Sequence, residues 1–297
     1  MNIVKNRILF YIFSFFLVGG AIACLAVFGL KQGIDFTGGT MMSVRFENRP
    51  GALDVESKIS EFNLGSITIQ PVGDTDMNIR MKTIDEDVHI SILEALNTNF
   101  GATTELQYNA IGPSVGVELR QKSMSALVIV FIAILCFIAY SFRKVSTPVQ
   151  SWKYGLLVIM SSFHDVIIPI GLFALLGKFQ NIEVGTPFIA AVLTIMGYSV
   201  NDTIVVLDRV RENLQKMSGA FEDIVEKSIK QTMLRSLNTS LTTILTLSAV
   251  YLFGGESIKY FALALIVGII TGTYSSIFVV SPALVTWYRL SRRKERK

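Results

Sequence analysis

The chain is poor in the residues that enzymes and metalloproteins use most. It has two histidines and two cysteines among 297 residues, and charged residues make up only 17% of it. No nucleophile with a neighbouring base, phosphate-binding loop or metal-ligand cluster stands out. Cys24 and Cys136 both fall within long apolar runs, where a thiol packs as a small hydrophobic group. The sequence therefore predicts a protein without catalytic activity, cofactor or metal site.

Hydrophobic residues, in contrast, make up 51% of the chain, and its mean hydropathy is +0.51. This composition is too apolar for a soluble protein of such length. A membrane-spanning helix needs roughly 20 mostly apolar residues. Six stretches qualify: Ile8–Leu30, Ala126–Phe142, Tyr154–Leu176, Thr186–Leu207, Leu237–Phe253 and Tyr260–Tyr288. We therefore expect an α-helical polytopic membrane protein that is surrounded by lipid.

The basic residues lie where membrane topology would put them, so the net charge of +4 does not indicate nucleic acid binding. Lys5 and Arg7 precede the first span, and Arg143, Lys144 and Lys153 lie between spans two and three. Six more Lys or Arg residues occur in 208–235, and another six follow span six. The positive-inside rule then predicts cytoplasmic N- and C-termini and an external segment over 31–122. In a bacterium this membrane would be the cytoplasmic one.

The N-terminal apolar run also has the charge pattern of a secretory signal. A signal core is normally about 7 to 15 residues long, whereas this run has 23. We expect it to remain as the first transmembrane helix, so residues 1–30 form the N-terminus with span one.

The external segment alternates between strand-like and helix-like patterns. Their order is β-α-β-β-α-β, the plan of a ferredoxin-like domain in which two helices cover one face of a four-stranded antiparallel sheet. The predicted elements are Thr40–Phe46, Ala52–Phe62, Ser66–Gln70, Met77–Met81, Val88–Asn99 and Thr103–Asn109. Spans two to four follow in 123–207, and spans five and six with a basic tail occupy 236–297.

Residues 208–235 are charged but periodic, with apolar side chains at three- and four-residue spacing. This pattern favours one or two amphipathic helices lying on the cytoplasmic face of the membrane. A solvated connecting loop is the alternative.

Asp165 and Asp202 interrupt spans three and four, and neither of these apolar runs contains a Lys or Arg. A carboxylate at the centre of a membrane helix costs about 2.5 to 3.5 kcal/mol even on the lenient insertion scale, so such residues usually face a bundle interior or an ion path. Asp165 is the deeper of the two and must be paired or protonated, and His164 precedes it. Asp202 lies closer to cytoplasmic water. An ion-coupled membrane protein is therefore the leading hypothesis.

Polar residues surround Asp202 in the sequence and recur along span five. They can hold helices together by hydrogen bonds or line a hydrated ion path, and the first role is the default for threonine. The predicted supporting set is Ser199, Asn201, Thr203, Asn238, Thr239 and Thr242. Arg235 stands at the cytoplasmic end of this stripe, where it either neutralises Asp202 or anchors the helix at the interface.

Two intramembrane aspartates also raise the hypothesis of an aspartyl protease. The residues before Asp202 read Gly197-Tyr198-Ser199-Val200-Asn201, which lacks the GxGD arrangement of those enzymes, so we set proteolysis aside. Outside span one, Asp35, Gly38 and Gly39 belong to the string GIDFTGG, in which the glycine pair predicts a turn with close backbone packing.

Three strings together carry a family resemblance: GIDFTGG at 33–39, FHDV at 163–166 and GYSVNDTIVVLDRVREN at 197–213. The chain resembles the SecF family of bacterial SecD/SecF protein-export complexes along essentially its whole length. The resemblance implies a member of the resistance-nodulation-division superfamily that uses a H⁺ or Na⁺ gradient to help pull preproteins out of the SecYEG channel. It also implies a SecD-like partner, an external domain that contacts unfolded preprotein, ion binding at Asp202, modulation by Arg235 and a functional His-Asp motif at Asp165.

Two other functions stay open at this point. The chain could be a passive scaffold that holds translocase subunits together, with its polar groups serving only as contacts between helices. It could also be half of a lipid or drug exporter of the same superfamily, although one small external domain leaves little room for a ligand chamber.

Overall fold

The computed structural model describes residues 2–141 and 150–295, so the predicted loop residues Arg143 and Lys144 lie outside the described part. The chain divides into two compact units. The membrane unit comprises Met1–Leu30, Ala126–Ile182 and Pro187–Lys297, and the α+β unit comprises Lys31–Ser125 with the short segment Glu183–Thr186.

Six helical stretches within the described residues are long and apolar enough to cross a membrane, which confirms the predicted polytopic architecture. The helices that contribute to them are α1 (Arg7–Phe28), α5 (Pro113–Ser141), α6 (Ser151–Gln180), α7 (Thr186–Lys216), α8 (Phe221–Phe253), α9 (Glu256–Ser275) and α10 (Ser281–Glu295). A π-helical turn, Ser276–Val280, joins α9 to α10 without a break in the sixth span.

Helices α6, α7 and α9 form the interior of the membrane unit. In the most apolar part of each helix, more than half of the residues are buried in α6 and in the sixth span, and 44% are buried in α7. In α1 and α5 only 6% are buried. Helix α6 packs against α1 and α9, and α8 packs against α9. Polar residues on the inward faces of α6, α7 and α9 are therefore shielded by the other helices.

Residues 208–235 differ from the prediction of separate helices on the membrane face. Helix α7 continues to Lys216, and α8 begins at Phe221 and runs without interruption to Phe253. The periodic apolar residues here belong to the core of the membrane unit: Val210, Phe221 and Ile224 are at most 5% exposed. The amphipathic pattern arose because the ends of two spanning helices pack against each other beyond their apolar parts.

The α+β unit has the predicted ferredoxin-like order. Four strands form one antiparallel sheet in the order β2-β3-β1-β4. Its elements are α2 (Ile34–Thr37), β1 (Gly39–Phe46), α3 (Ala52–Ile59), β2 (Thr68–Val72), β3 (Asp76–Met81), α4 (Glu86–Phe100) and β4 (Thr103–Ile111).

The core of this unit lies on one face of the sheet. Met42, Val44 and Phe46 alternate along β1 and are at most 1% exposed, as expected for a strand with one buried face. They pack with Val55 of α3 and Ile92 of α4, which are both fully buried. The two helices therefore cover a single sheet face.

Candidate functional site

The carboxylate of Asp165 lies at the meeting point of three helices. It is fully buried, and its Oδ2 accepts hydrogen bonds from Ser199 on α7 at 2.5 Å and from Ser275 on α9 at 2.7 Å. Ser161, one turn earlier on α6, approaches the same oxygen at 3.3 Å. Three neutral hydroxyls thus replace the water that a carboxylate would otherwise bind.

His164 contacts the second carboxylate oxygen of Asp165. Its Nδ1 lies 2.7 Å from Asp165 Oδ1, and its Nε2 lies 3.2 Å from Ser14 Oγ on α1. The ring stacks on Tyr274, with an interplanar angle of 23° and 6.3 Å between ring centroids. The His-Asp pair is therefore oriented by α1 and the sixth span together.

Because of Pro169, the backbone carbonyl of Asp165 lacks its usual N–H partner within α6. A proline four residues later has no N–H to donate to the Asp165 carbonyl in the helix. Thr271 on α9 takes this role, with Oγ1 3.3 Å from the carbonyl oxygen, and shares its hydroxyl with the Gly268 carbonyl of its own helix at 3.0 Å. A hydroxyl from a neighbouring helix thus satisfies a backbone group that would be costly to leave unpaired in a membrane.

Asp202 is the second buried carboxylate, with 9% exposure. Ser236 on α8 donates to its Oδ1 at 2.5 Å, and Ser276 donates to its Oδ2. Ser276 directly follows Ser275, which donates to Asp165. The two aspartates are therefore linked through consecutive residues of the sixth span, although each has its own hydroxyl donors.

The donors Ser275 and Ser276 stand at the junction between α9 and the π-helical turn. The Ser281 hydroxyl donates to the carbonyl of Ser276 at 3.0 Å, five residues back along the chain. A π-helical turn inside a longer helix is rare and often marks a functional position. Here it begins at the residue that binds Asp202.

The other predicted site residues divide into two groups. Thr203 is fully buried, with its hydroxyl 3.5 Å from Ser161 Oγ, and thus lies in the same cluster as Asp165. Arg235 is exposed, one residue before Ser236. The remaining predicted residues, Asn201, Asn238, Thr239 and Thr242, are exposed. The hydroxyls of Thr239 and Thr242 donate to carbonyls of their own helix.

Sequence reasoning named Ser199 but missed the other serines that bind the two carboxylates: Ser161, Ser236, Ser275 and Ser276. The spacing of four residues between Ser161 and Asp165 was a usable signal, because residues so spaced share a helix face. Ser236 is buried, whereas Thr239 and Thr242 of the same helix are exposed, and the sequence alone does not separate them. The assignment of Ser275 and Ser276 required the packing of α9 against α6 and α7, which the sequence does not give.

The GIDFTGG segment forms a tight structural motif inside the α+β unit. Asp35 Oδ2 accepts two hydrogen bonds of 2.7 Å, from the backbone N–H and the hydroxyl of Thr186. Gly38 and Gly39 have φ angles of +72° and +124°. A Cβ at Gly39 would lie 2.8 Å from the Met81 carbonyl oxygen, so the predicted close backbone approach is present.

An ion-pair cluster also lies within the α+β unit. Arg80 on β3 contacts Glu183 at 2.5 Å and donates to the hydroxyl of Thr37. Backbone hydrogen bonds join residues 31–33 to Val184. The Gly33 N–H donates to the Val184 carbonyl at 2.9 Å, and the Val184 N–H donates to the Lys31 carbonyl at 2.8 Å. The residues before α7 are therefore fixed to the start of the α+β unit.

The fold and the paired buried carboxylates define a multi-pass membrane protein with an α+β domain and an ionisable intramembrane centre. Comparison with protein families agrees with this class. The family model described as protein export membrane protein SecD/SecF, C-terminal, matches residues 92–290, and the SecD/SecF GG motif matches residues 25–48.

Similar proteins and structures extend over nearly the whole chain. The chain is 40% identical to a protein translocase subunit SecF of Thermobaculum terrenum, over 99% of this chain and 98% of the relative, and 34% identical to a SecF of Anaerolinea thermophila, over 97% and 94%. The crystal structure of SecDF, a translocon-associated membrane protein from Thermus thermophilus, superposes with a TM-score of 0.84 and 32% identity, over 97% of this chain. A SecDF in the super-membrane-facing form gives 0.69 and the same identity, over 100%.

The chain belongs to the SecF family of SecD/SecF protein-export membrane proteins. It spans 38% and 40% of the two SecDF chains, which are therefore much longer proteins.

Proposed function

We propose that this chain is a non-catalytic accessory subunit of the Sec translocase that uses an ion gradient across the cytoplasmic membrane to promote preprotein translocation. The observation that carries the proposal is the pair of aspartates, Asp165 and Asp202, buried on adjacent helices of a membrane unit, whose described hydrogen-bond partners are neutral hydroxyls and one histidine. Buried charge of this kind is costly to a membrane protein and usually belongs to an ion path.

In this proposal Asp202 binds and releases the coupling ion. Its slight exposure and its position near the end of the apolar part of α7 give it the easier access to cytoplasmic water. Arg235 directly precedes Ser236, the donor to Asp202, and its positive charge would favour the ion-free carboxylate. Each charge that crosses 100 mV gains about 2.3 kcal/mol, which can bias a two-state motion about fifty-fold.

The α+β domain would act on the external side of the membrane, where it would contact the emerging preprotein. Exposed apolar side chains support this role, since Leu53 is 80% exposed and Ile90 and Leu106 are more than 40% exposed. An unfolded polypeptide presents apolar side chains that such positions can bind. The termini would then be cytoplasmic, as the positive-inside rule predicts.

We further propose a SecD-like partner that packs on α8, with SecYEG as the channel that the complex serves. Asn238, Thr239 and Thr242 form an exposed polar face on a helix apolar enough to span the membrane. Polar side chains at membrane depth rarely face lipid and are common between helices. The greater length of the similar SecDF chains supports a second half in the complex.

Disulfide crosslinking tests the partner interface. Thr242→Cys should crosslink to cysteines in the facing helix of a SecD-like subunit. Ile129→Cys, at an exposed apolar position on α5, is the matched control and should not crosslink to that helix. Equal crosslinking of both positions would contradict an interface on α8.

Export from reconstituted vesicles with an imposed H⁺ or Na⁺ gradient tests the coupling. Asp202→Asn should abolish the gradient-dependent part of export while the protein still inserts, because the ion-binding charge is lost. Asp208→Asn is the matched control, since Asp208 lies on the same helix and forms a surface ion pair with Arg211 at 3.4 Å. Full gradient-dependent export by Asp202→Asn would remove Asp202 from the mechanism and favour the passive scaffold.

A further inference from the structure

Asp165 Oδ2 has more hydroxyl neighbours than it can use as hydrogen-bond donors. Ser161, Ser199 and Ser275 all point their hydroxyls at this one oxygen and are at most 2% exposed. A carboxylate oxygen has about two lone-pair positions. The cluster is therefore a group of four oxygens gathered closely in the interior of the membrane unit, and they come from three helices.

The hydroxyl protons have other acceptors nearby. Ser275 Oγ lies 3.1 Å from the Gly272 carbonyl oxygen, and Ser161 Oγ lies 2.9 Å from Ser275 Oγ and 3.5 Å from Thr203 Oγ1. Ser161 and Ser275 can thus turn their protons away from Asp165, which leaves their lone pairs free to face the carboxylate. Oxygen lone pairs from carboxylates, hydroxyls and carbonyls are the ligands that hard cations bind.

Gly272 keeps space free beside the same oxygen. A Cβ at this position would lie 3.6 Å from Asp165 Oδ2 and 3.5 Å from Ser199 Cβ, which is ordinary contact distance. Room for about one methyl group therefore remains next to the carboxylate oxygen, beside Ser199.

The charge of Asp165 also needs compensation. The described hydrogen bonds and ion pairs of this carboxylate include no Lys or Arg, and in them His164 contacts Oδ1 and not Oδ2. Burial of a charged carboxylate is strongly unfavourable, so a bound cation at Oδ2 would stabilise the charged form.

We propose that Asp165, Ser161, Ser199 and Ser275 form a binding site for a small monovalent cation, Na⁺, separate from Asp202. This inference deepens the proposed function, because it assigns one of the two carboxylates to a cation instead of a proton. It would give the membrane unit a cation-dependent stability that can be measured without protein export.

Thermal unfolding of the purified full chain in detergent provides the test, at pH 8 in NaCl, KCl or choline chloride of equal ionic strength. At Na⁺ about one hundred times above Kd, we expect the midpoint to rise by roughly 5 °C relative to choline. Asp165→Asn and Ser275→Ala should remove the Na⁺ effect. Ser162→Ala should keep it, because Ser162 is equally buried but donates to the Val158 carbonyl of its own helix at 3.0 Å.

The variants also locate the cation. Asp202→Asn should retain the Na⁺ effect. If Asp202→Asn loses the effect while Asp165→Asn retains it, the proposal is overturned and the cation binds at Asp202. Equal midpoints of the wild-type chain in Na⁺ and choline would overturn it as well. If Asp165→Asn does not fold, binding of ²²Na⁺ decides: wild-type protein should bind it in competition with unlabelled Na⁺, and Ser275→Ala should bind at least tenfold more weakly.

The outcome is independent of the proposed function. Gradient-dependent export that fails in Asp202→Asn supports ion coupling even when no Na⁺ binds at Asp165. Na⁺ binding at Asp165, in turn, stands even when Asp202→Asn exports normally.

Discussion

Ser275 and Ser276 are consecutive residues, yet their hydroxyls bind different aspartates. Ser275 donates to Asp165 at 2.7 Å and Ser276 donates to Asp202. Neighbouring residues of an α-helix project about 100° apart, so one helix can face α6 and α7 at the same level. The start of the π-helical turn is therefore a point on the sixth span that contacts both carboxylates.

Removal of the Ser276 hydroxyl should change the ion affinity of Asp202. Ser276→Ala leaves Ser236 as the described donor, and a hydrogen bond to a charged group contributes about 1.5 to 3 kcal/mol, so we expect a change of roughly tenfold or more. Export measured against the size of the imposed gradient would report this change as a shifted half-maximal gradient.

Thr246→Ala is the control for Ser276→Ala. Its hydroxyl is exposed and donates to the Thr242 carbonyl of its own helix, so the half-maximal gradient should stay unchanged. Equal behaviour of the two variants would show that Ser276 does not act on Asp202.

Pro169 and Thr271 should be energetically coupled through the Asp165 carbonyl. Thr271→Val should destabilise the chain by about 1 to 3 kcal/mol, because it removes the hydroxyl that satisfies this carbonyl. In a Pro169→Ala background the cost should be smaller, since the new alanine supplies an N–H to the same carbonyl. A double-mutant cycle from unfolding in denaturant measures the coupling. Additive effects of the two substitutions would contradict this account of the carbonyl.

Gly39→Ala should destabilise the α+β unit by roughly 2 to 3 kcal/mol. The residue has φ +124°, and the new Cβ would meet the Met81 carbonyl oxygen at 2.8 Å. Hydrogen exchange of the β1 amides in the full chain should become faster.

Gly112→Ala serves as the matched glycine control. It has ordinary φ and no described atom within 4 Å of the added Cβ, so its effect on exchange should be small. Unchanged β1 exchange in Gly39→Ala would show that the turn adapts without cost.

His89 should titrate above the ordinary histidine range. Burial lowers its pKa, but hydrogen bonds to Glu105 at 2.8 Å and Glu86 at 3.2 Å outweigh burial, so the pKa is raised. Because the folded pKa exceeds the unfolded one, this contact stabilises the α+β unit fully below about pH 6.5 and the gain is lost as pH rises through the folded pKa.

Nuclear magnetic resonance of the imidazole rings can follow this titration, since the chain has only two histidines. Glu105→Gln should lower the midpoint of His89. Glu86→Gln should lower it less, because the Glu86 side chain is 69% exposed and solvent weakens its effect. A wild-type midpoint below the ordinary value would mean that burial outweighs both carboxylates.

Much of the fold could be predicted from local patterns. The lengths of the apolar runs identified six spans, and the order of strand-like and helix-like patterns in 40–109 predicted the ferredoxin-like domain. Strands and helices can be predicted in this way because each has its own spacing of apolar residues. The helix ends were harder to predict. Helix α5 begins at Pro113 and not near Ala126, because polar residues beyond the apolar part continue the helix. The same reason explains the extensions of α7 and α8.

The sequence by itself determined that Asp165 and Asp202 lie within apolar spans, since the cost of a carboxylate in lipid singles them out without any structure. Only the tertiary structure decided which side chains bind them, because the partners come from helices far apart in the chain: Ser199 and Ser275 for Asp165, Ser236 and Ser276 for Asp202. Hydroxyls are common in membrane helices, and their spacing along one helix does not tell which neighbour they face. Helix packing sets that choice, through contacts spread over many residues of several spans.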